Sequence, residues 1–177
     1  MRGWLDSKAG RAALFLVVLA VSCGGPTRET RIRRFLGQTA ALAEKNDYAG
    51  LMGRIASDFR DFEGRDKAET GALIQGHLVG RRGIVIHVLS VRAGETGSDG
   101  QNPVQAEILL SSGPAEAFRR LLRYAGETYR LDLVLGPSGK GSWEIRYAAW
   151  EEVPVSGLFP ESVKVLKELF PGLGGNF

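Results

Sequence analysis

A predicted β-hairpin in the second half of the chain constrains the fold more than any other feature. The stretches Thr128–Leu135 and Ser142–Trp150 alternate between two sets of side chains with a period of two, as do strands that bury one face. The glycine-rich segment between them has the composition of a turn. In the second strand the alternation predicts that Tyr147 shares the inner face with Ile145, whereas Trp150 lies on the outer face. We therefore expect an antiparallel sheet onto which the rest of the chain packs.

The first 22 residues predict an export signal. Three basic residues precede the apolar run Ala12–Val21. A membrane-spanning helix needs ~20 apolar residues, so this shorter run is typical of a cleaved secretory signal. Removal of residues 1–22 takes away three basic residues and one acidic residue, so the formal net charge falls from +3 to +1. A charge so close to zero gives no support for a nucleic-acid partner, and we expect none.

The end of this segment, Leu-Ala-Val-Ser-Cys at residues 19–23, resembles the lipobox of bacterial lipoproteins. The resemblance implies that residues 1–22 are a lipoprotein signal peptide and that Cys23 is lipidated. Residues 23–27 would then be a short tether. Glycine at position 24 resembles the outer-membrane sorting pattern, which places the protein on the periplasmic side of the outer membrane if the host is Gram-negative. The alternative is an ordinary cleaved signal followed by an incidental cysteine.

Helices dominate the next part of the chain. Apolar residues recur at helical spacing over residues 28–45, and a second, shorter helix is predicted to include Ile55. The stretch Ser57–Arg65 is predicted to be a break, whose aromatic residues Phe59 and Phe62 plug the core. A third helix follows, because Asp66 and Glu69 have the spacing of a capping box, and its inner stripe is predicted to contain His77 as a core residue.

Strands dominate the remainder. We predict strands at Ile84–Val91 and Val104–Ser111, then a helix at Pro114–Ala125, then the hairpin. The basic residues of the Pro114–Ala125 helix are either solvated or bound to a membrane surface. A last helix, Pro160–Phe170, ends before a glycine-rich tail that we expect to be loose.

Three helices followed by four strands indicate an α+β protein. This order, with the strings at residues 46–51, 59–66 and 143–150, resembles the nuclear transport factor 2-like superfamily. The resemblance covers residues 28–153. It implies N-terminal helices packed on a strongly curved, mainly antiparallel four-stranded sheet shaped like a cone, to which residues 154–177 add a C-terminal helix and tail. The superfamily includes ketosteroid isomerase, dehydratases, polyketide cyclases, lipid carriers and domains without known activity, so the fold does not settle the function.

The resemblance also implies where catalysis would occur. Enzymes of the superfamily use an acid or base inside the cone, and the weak candidates in this chain are Tyr48, Asp58, Asp61 and His87. No pair of them stands out in the sequence. With two histidines and one cysteine the chain offers no cluster typical of a metal site, and we expect neither a metal nor a cofactor.

The leading hypothesis is a lipid-anchored cell-envelope protein whose domain binds a protein partner or an apolar small molecule without chemistry. The predicted ligand-pocket residues are Tyr129, Leu131, Trp143 and Ile145. One alternative is an isomerase-like or dehydratase-like enzyme that uses the cone cavity. Another is a structural module that forms a homodimer through the outer sheet face, where we expect Arg130, Glu144, Arg146 and Trp150.

Overall fold

The computed structural model describes residues 26–80, 83–112, 126–139 and 142–171, with the side chains of residues 78–80 and 112 left aside. Three predicted features lie outside the described residues. They are the signal segment with Cys23, the Pro114–Ala125 helix, and the tail after residue 171.

Four α-helices and five β-strands are described. In chain order they are α1 (Arg28–Glu44), α2 (Tyr48–Met52), β1 (Ile55–Asp61), α3 (Lys67–Gly80), β2 (Ile84–Ala93), β3 (Asn102–Ser112), β4 (Gly126–Pro137), β5 (Trp143–Glu152) and α4 (Pro160–Leu169), with a 3₁₀ turn at Val155–Gly157 before α4.

The strands form a single curled sheet in the order β1-β5-β4-β3-β2. All neighbours pair antiparallel except β1, which runs parallel to β5. The predicted α+β class with a curved, mainly antiparallel sheet is confirmed, including the hairpin of β4 and β5. In the described part of the chain the sheet has five strands and not four.

The extra strand, β1, occupies most of the stretch that was predicted to be a break, and it begins at Ile55, which was predicted to end a helix. Phe59 is buried as expected, but Phe62 is 46% exposed and therefore does not plug the core. The sequence pattern did not predict this strand because Ser57, Asp58 and Arg60 interrupt its apolar residues. Its partner β5 also comes from the far end of the domain.

Local hydrogen bonds explain where the helices begin. The Thr27 side chain accepts from the backbone N–H of Thr30 at the start of α1, and the Asp47 carboxylate accepts from Gly50 at the start of α2. The predicted capping box of α3 is confirmed. The backbone N–H of Asp66 donates to Glu69 Oε2 at 2.9 Å, and the N–H of Glu69 donates to Asp66 Oδ1 at 3.0 Å.

The concave face of the sheet carries the main core. From α1, Ile32, Phe35 and Leu36 pack against buried side chains of the sheet. These partners are Val91, Val104, Ala106, Leu133 and Leu135. Because α1 covers one end of this face and α3 the other, the space between α3 and the strands is the part that can remain hollow.

The C-terminal helix lies on the opposite face of the sheet. Leu166 of α4 is buried in a second core with Leu89 and Leu109, and these strand residues point away from the concave face. The helix therefore does not fill the concave side, a point that the sequence left open.

A buried ion pair lies beneath the segment that leads into α4. Glu107 is fully buried on the outer face of β3, and Arg130 Nη2 donates to its Oε1 at 2.8 Å. The other oxygen, Oε2, accepts from the backbone N–H of Phe159 at 2.8 Å, and Arg130 also donates to the Gly157 carbonyl. Arg130, which we expected on an exposed dimer surface, is thus engaged by the chain's own C-terminal segment.

A β-bulge in β5 changes which side chains face inward. Ile145 pairs with Leu135 and Tyr147 pairs with the preceding residue Val134, so that Arg146 is one extra residue in the ladder. The predicted alternation is therefore wrong beyond Arg146. Tyr147 faces outward, and Trp150 moves from the predicted outer face to the concave face.

Candidate functional site

A cavity of about 460 Å³ lies between α3 and the concave face of the sheet. The helix contributes Thr70, Leu73, Ile74 and His77, and β1 contributes Ile55 and Phe59. The other strands contribute Ile84, Ile86, Ile108, Leu110, Tyr129, Leu131, Leu133, Ile145, Ala148 and Trp150. The volume lies within the range of small-molecule sites, which is roughly 300–1,000 Å³.

The cavity wall is apolar with few polar groups. Among the described lining residues, the polar side chains are Thr70, His77 and Tyr129, together with the indole of Trp150, and none is acidic. Both hydroxyls donate to carboxylates: Thr70 to Asp61 at 3.3 Å and Tyr129 to Glu127 at 2.8 Å. His77 is exposed as well as lining the cavity, so the wall reaches the protein surface beside it.

Asp61 supports the cavity wall from behind and is 3% exposed. Its carboxylate accepts from the Arg65 side chain at 2.6 Å and from the backbone N–H groups of Glu63 and Arg65 at 2.9 Å. Burial alone would raise the pKa of the Asp61 carboxyl. The hydrogen bonds outweigh it and lower the pKa below the ordinary value of 3.8. Asp61 is therefore held as a buried anion that braces this part of the wall.

Trp150 is held in the wall by contacts on its far side. The Phe62 ring meets it edge-on, with centroids 4.9 Å apart, and the Arg65 guanidinium lies 5.6 Å from its centroid. Because Asp61 fixes Arg65, the buried carboxylate also positions this part of the wall.

Solved structures share this arrangement of helices and sheet. A nuclear transport factor 2-like (NTF2-like) protein of unknown function from Pseudomonas aeruginosa matches with a TM-score of 0.56 and 17% identity, over 70% of this chain and 99% of that one. A candidate dehydratase of the NTF2-like family from Streptomyces avermitilis matches with a TM-score of 0.57 and 13% identity, over 71% and 96%. The fold is NTF2-like.

A third similar structure is a candidate scytalone dehydratase from Novosphingobium aromaticivorans, with a TM-score of 0.55 and 10% identity over 81% of this chain and 89% of that one. No family model and no curated protein matches the sequence. The likeness supports the resemblance seen in the sequence at the level of the NTF2-like fold.

Three of the four predicted pocket residues line the cavity between α3 and the sheet: Tyr129, Leu131 and Ile145. Trp143 does not line it. Its ring packs edge-on against Phe35 of α1, with centroids 6.2 Å apart. That the three lining residues bind a ligand stays a prediction.

The structure does not bring the four weak catalytic candidates together. Asp58 is exposed on β1 and forms an ion pair with Arg146. His87 follows Ile86, which lines the cavity, and therefore points to the opposite face of β2. Tyr48 packs where α2 meets α3. Its hydroxyl lies so close to Gly71 that a Cβ added there would be only 2.6 Å away.

The sequence missed two features of the cavity. Trp150 was placed on the wrong face because nothing in the period of β5 reveals the bulge. His77 was expected in the core, yet it lies exposed at the rim of the cavity. Its place on the inner stripe of α3, beside Leu73 and Ile74, was the available signal.

Among the described residues, no group of three or more histidine, cysteine, aspartate or glutamate side chains could hold a metal ion. None of the helices described is long and apolar enough to cross a membrane.

Proposed function

We propose that this protein holds a small apolar molecule in its NTF2-like cavity without transforming it, while a lipid on Cys23 anchors it to the cell envelope. The observation that carries the proposal is the cavity wall, on which no described residue is acidic. Aliphatic and aromatic side chains favour an apolar ligand, because burial of its surface removes that surface from water.

The polar groups of the wall suit recognition better than chemistry. The hydroxyls of Thr70 and Tyr129 already donate to carboxylates, so their remaining capacity is to accept a hydrogen bond. General acid–base catalysis needs a titratable group within reach of the reacting atom. Among the lining residues described, the candidates for such a group are His77 and Tyr129.

The anchor is supported by residues 19–23 and by the single cysteine of the chain. One acyl chain holds a protein only marginally, whereas two or more signals hold it stably. The diacylglyceryl group that the lipobox implies would meet that requirement. On this proposal the domain presents its cavity close to a bilayer, the usual reservoir of apolar molecules.

Native mass spectrometry of the protein purified from its own host tests the binding proposal. We expect an added mass that denaturation releases. The matched variants are Ala148→Phe, which fills the cavity, and Ala149→Phe, which alters the next residue on the outer face. Loss of the added mass in the first variant alone supports the proposal. No added mass, or equal retention by both variants, contradicts it.

A dehydratase or isomerase is the second candidate, because His77 lies on the wall and similar structures include candidate dehydratases. The released molecule distinguishes the two. If incubation of the complex in D₂O places deuterium on a carbon of the ligand, and His77→Gln abolishes that exchange, the protein is an enzyme. If the ligand gains no deuterium on carbon, binding without chemistry is supported.

A further inference from the structure

We propose that the N-terminal half of α1 docks on an anionic lipid surface. Arg31, Arg33 and Arg34 are all exposed within the first two turns of this helix. The proposal rests on the proposed function in one respect, because lipidation of Cys23 would bring this helix next to a bilayer.

The charges on this face are mostly available to a partner. Within the described part of the chain, Arg34 has no hydrogen bond or ion pair, and Arg33 donates only to the carbonyls of Val88 and Leu89. Two acidic residues lie on the same helix. Glu29 is exposed in the first turn, whereas Glu44 lies at the far end and accepts from the backbone N–H of Ile86 at 2.7 Å. The exposed half of the helix thus keeps an excess of positive charge.

An aromatic group accompanies the arginines. The guanidinium of Arg31 lies 5.8 Å from the ring centroid of Trp143, which is half-buried, and Trp143 in turn packs against Phe35. On the other side, the guanidinium of Arg54 lies 5.4 Å from the Phe35 centroid and adds a further positive charge. Tryptophan beside basic side chains suits the boundary between headgroups and water.

The position of the helix fits a membrane as well. The predicted tether, residues 23–27, ends at Thr27, whose side chain caps α1. Five extended residues span at most roughly 18 Å. A tether of this length lets the first turns of α1 reach the headgroups, within the Debye length of about 8 Å over which their charge acts at physiological salt. Each basic residue near an anionic surface strengthens binding about five-fold.

The orientation of the acylated full chain on vesicles tests this. A fluorophore is attached at Gly37→Cys, an exposed position of α1 where an added Cβ would contact nothing within 4 Å, or at exposed Lys164→Cys on α4. We expect phosphatidylglycerol in phosphatidylcholine vesicles to protect the first label, but not the second, from acrylamide quenching. High salt should remove the protection.

Charge variants provide the matched control. Replacing Arg31 and Arg34 by glutamine should lower the ratio of docked to undocked α1 by roughly 25-fold. Replacing Lys164 and Lys167 by glutamine should leave that ratio unchanged. Equal protection of both labels, or protection without anionic lipid, overturns the proposal. Protection that appears only when envelope proteins are added assigns the face to a protein partner and also overturns it.

Failure of the anchor is a separate outcome. Mass spectrometry of the mature N-terminus shows whether Cys23 is acylated, which tests the proposed function alone. If it is not, co-sedimentation of the purified protein with phosphatidylglycerol vesicles still tests the docking face. The same pair of double variants decides the result, since only loss through Arg31 and Arg34 supports the proposal.

Discussion

The buried pair of Glu107 and Arg130 predicts a rescue by a second substitution. Arg130→Met removes the cation and leaves a fully buried carboxylate whose remaining hydrogen-bond donor, among the residues described, is the N–H of Phe159. Breaking a buried pair in this way costs about 3–5 kcal/mol of unfolding free energy. Arg130→Met with Glu107→Gln also removes the charge, so the double variant should be more stable than the single one by about 2 kcal/mol.

The comparison isolates the charge because both variants lose the same other contacts of Arg130. These are its hydrogen bond to the Gly157 carbonyl, its ion pair with Glu151 and its contact with the Phe159 ring. Urea unfolding of the wild type, both single variants and the double variant gives the four free energies of a double-mutant cycle.

A double variant no more stable than Arg130→Met would refute the reasoning. So would a cost below about 1 kcal/mol for Arg130→Met, the size expected of an exposed pair.

Two further predictions concern the support of the cavity. Gly71→Ala should leave the protein less stable than Gly76→Ala by about 1–3 kcal/mol, since the Cβ at position 71 would lie 2.6 Å from the Tyr48 hydroxyl, whereas the Cβ at position 76 meets nothing and should stabilise the helix by up to about 1 kcal/mol. Thermal melting measures both, and equal shifts would contradict the packing. The pKa of Asp61 is lowered in the folded protein. The ionised carboxylate therefore contributes its full stabilisation of the fold above its unfolded-state pKa near 3.8, and this contribution is lost as the pH falls further. Asp61→Asn should therefore be less stable at neutral pH and lose less stability on acidification below about pH 5, as urea midpoints will show; parallel pH curves would exclude this role.

The sequence predicted the elements whose burial is regular. Strands β3 and β4 keep an unbroken period of two, because one side of each faces the core. The start of α3 was predicted correctly because its capping box is local chemistry. Both features depend on residues close together in the chain.

The parts that were missed depend on distant residues. Strand β1 is short and rich in polar residues, and its ladder exists only once β5 lies beside it. The bulge at Arg146 shifts Trp150 into the cavity, and a single inserted residue leaves no trace in composition. The outer position of α4 follows from complementary surfaces on Leu89 and Leu109, which a helical period cannot reveal.

The parallel pairing of β1 with β5 has a consequence for biosynthesis. Ile55 emerges from the ribosome long before Ile145, its partner across the ladder. Contacts between such distant positions slow the search for the native state. The edge of the sheet therefore remains unfinished until nearly the whole domain has been made, and a chain truncated before β5 should be unable to complete it.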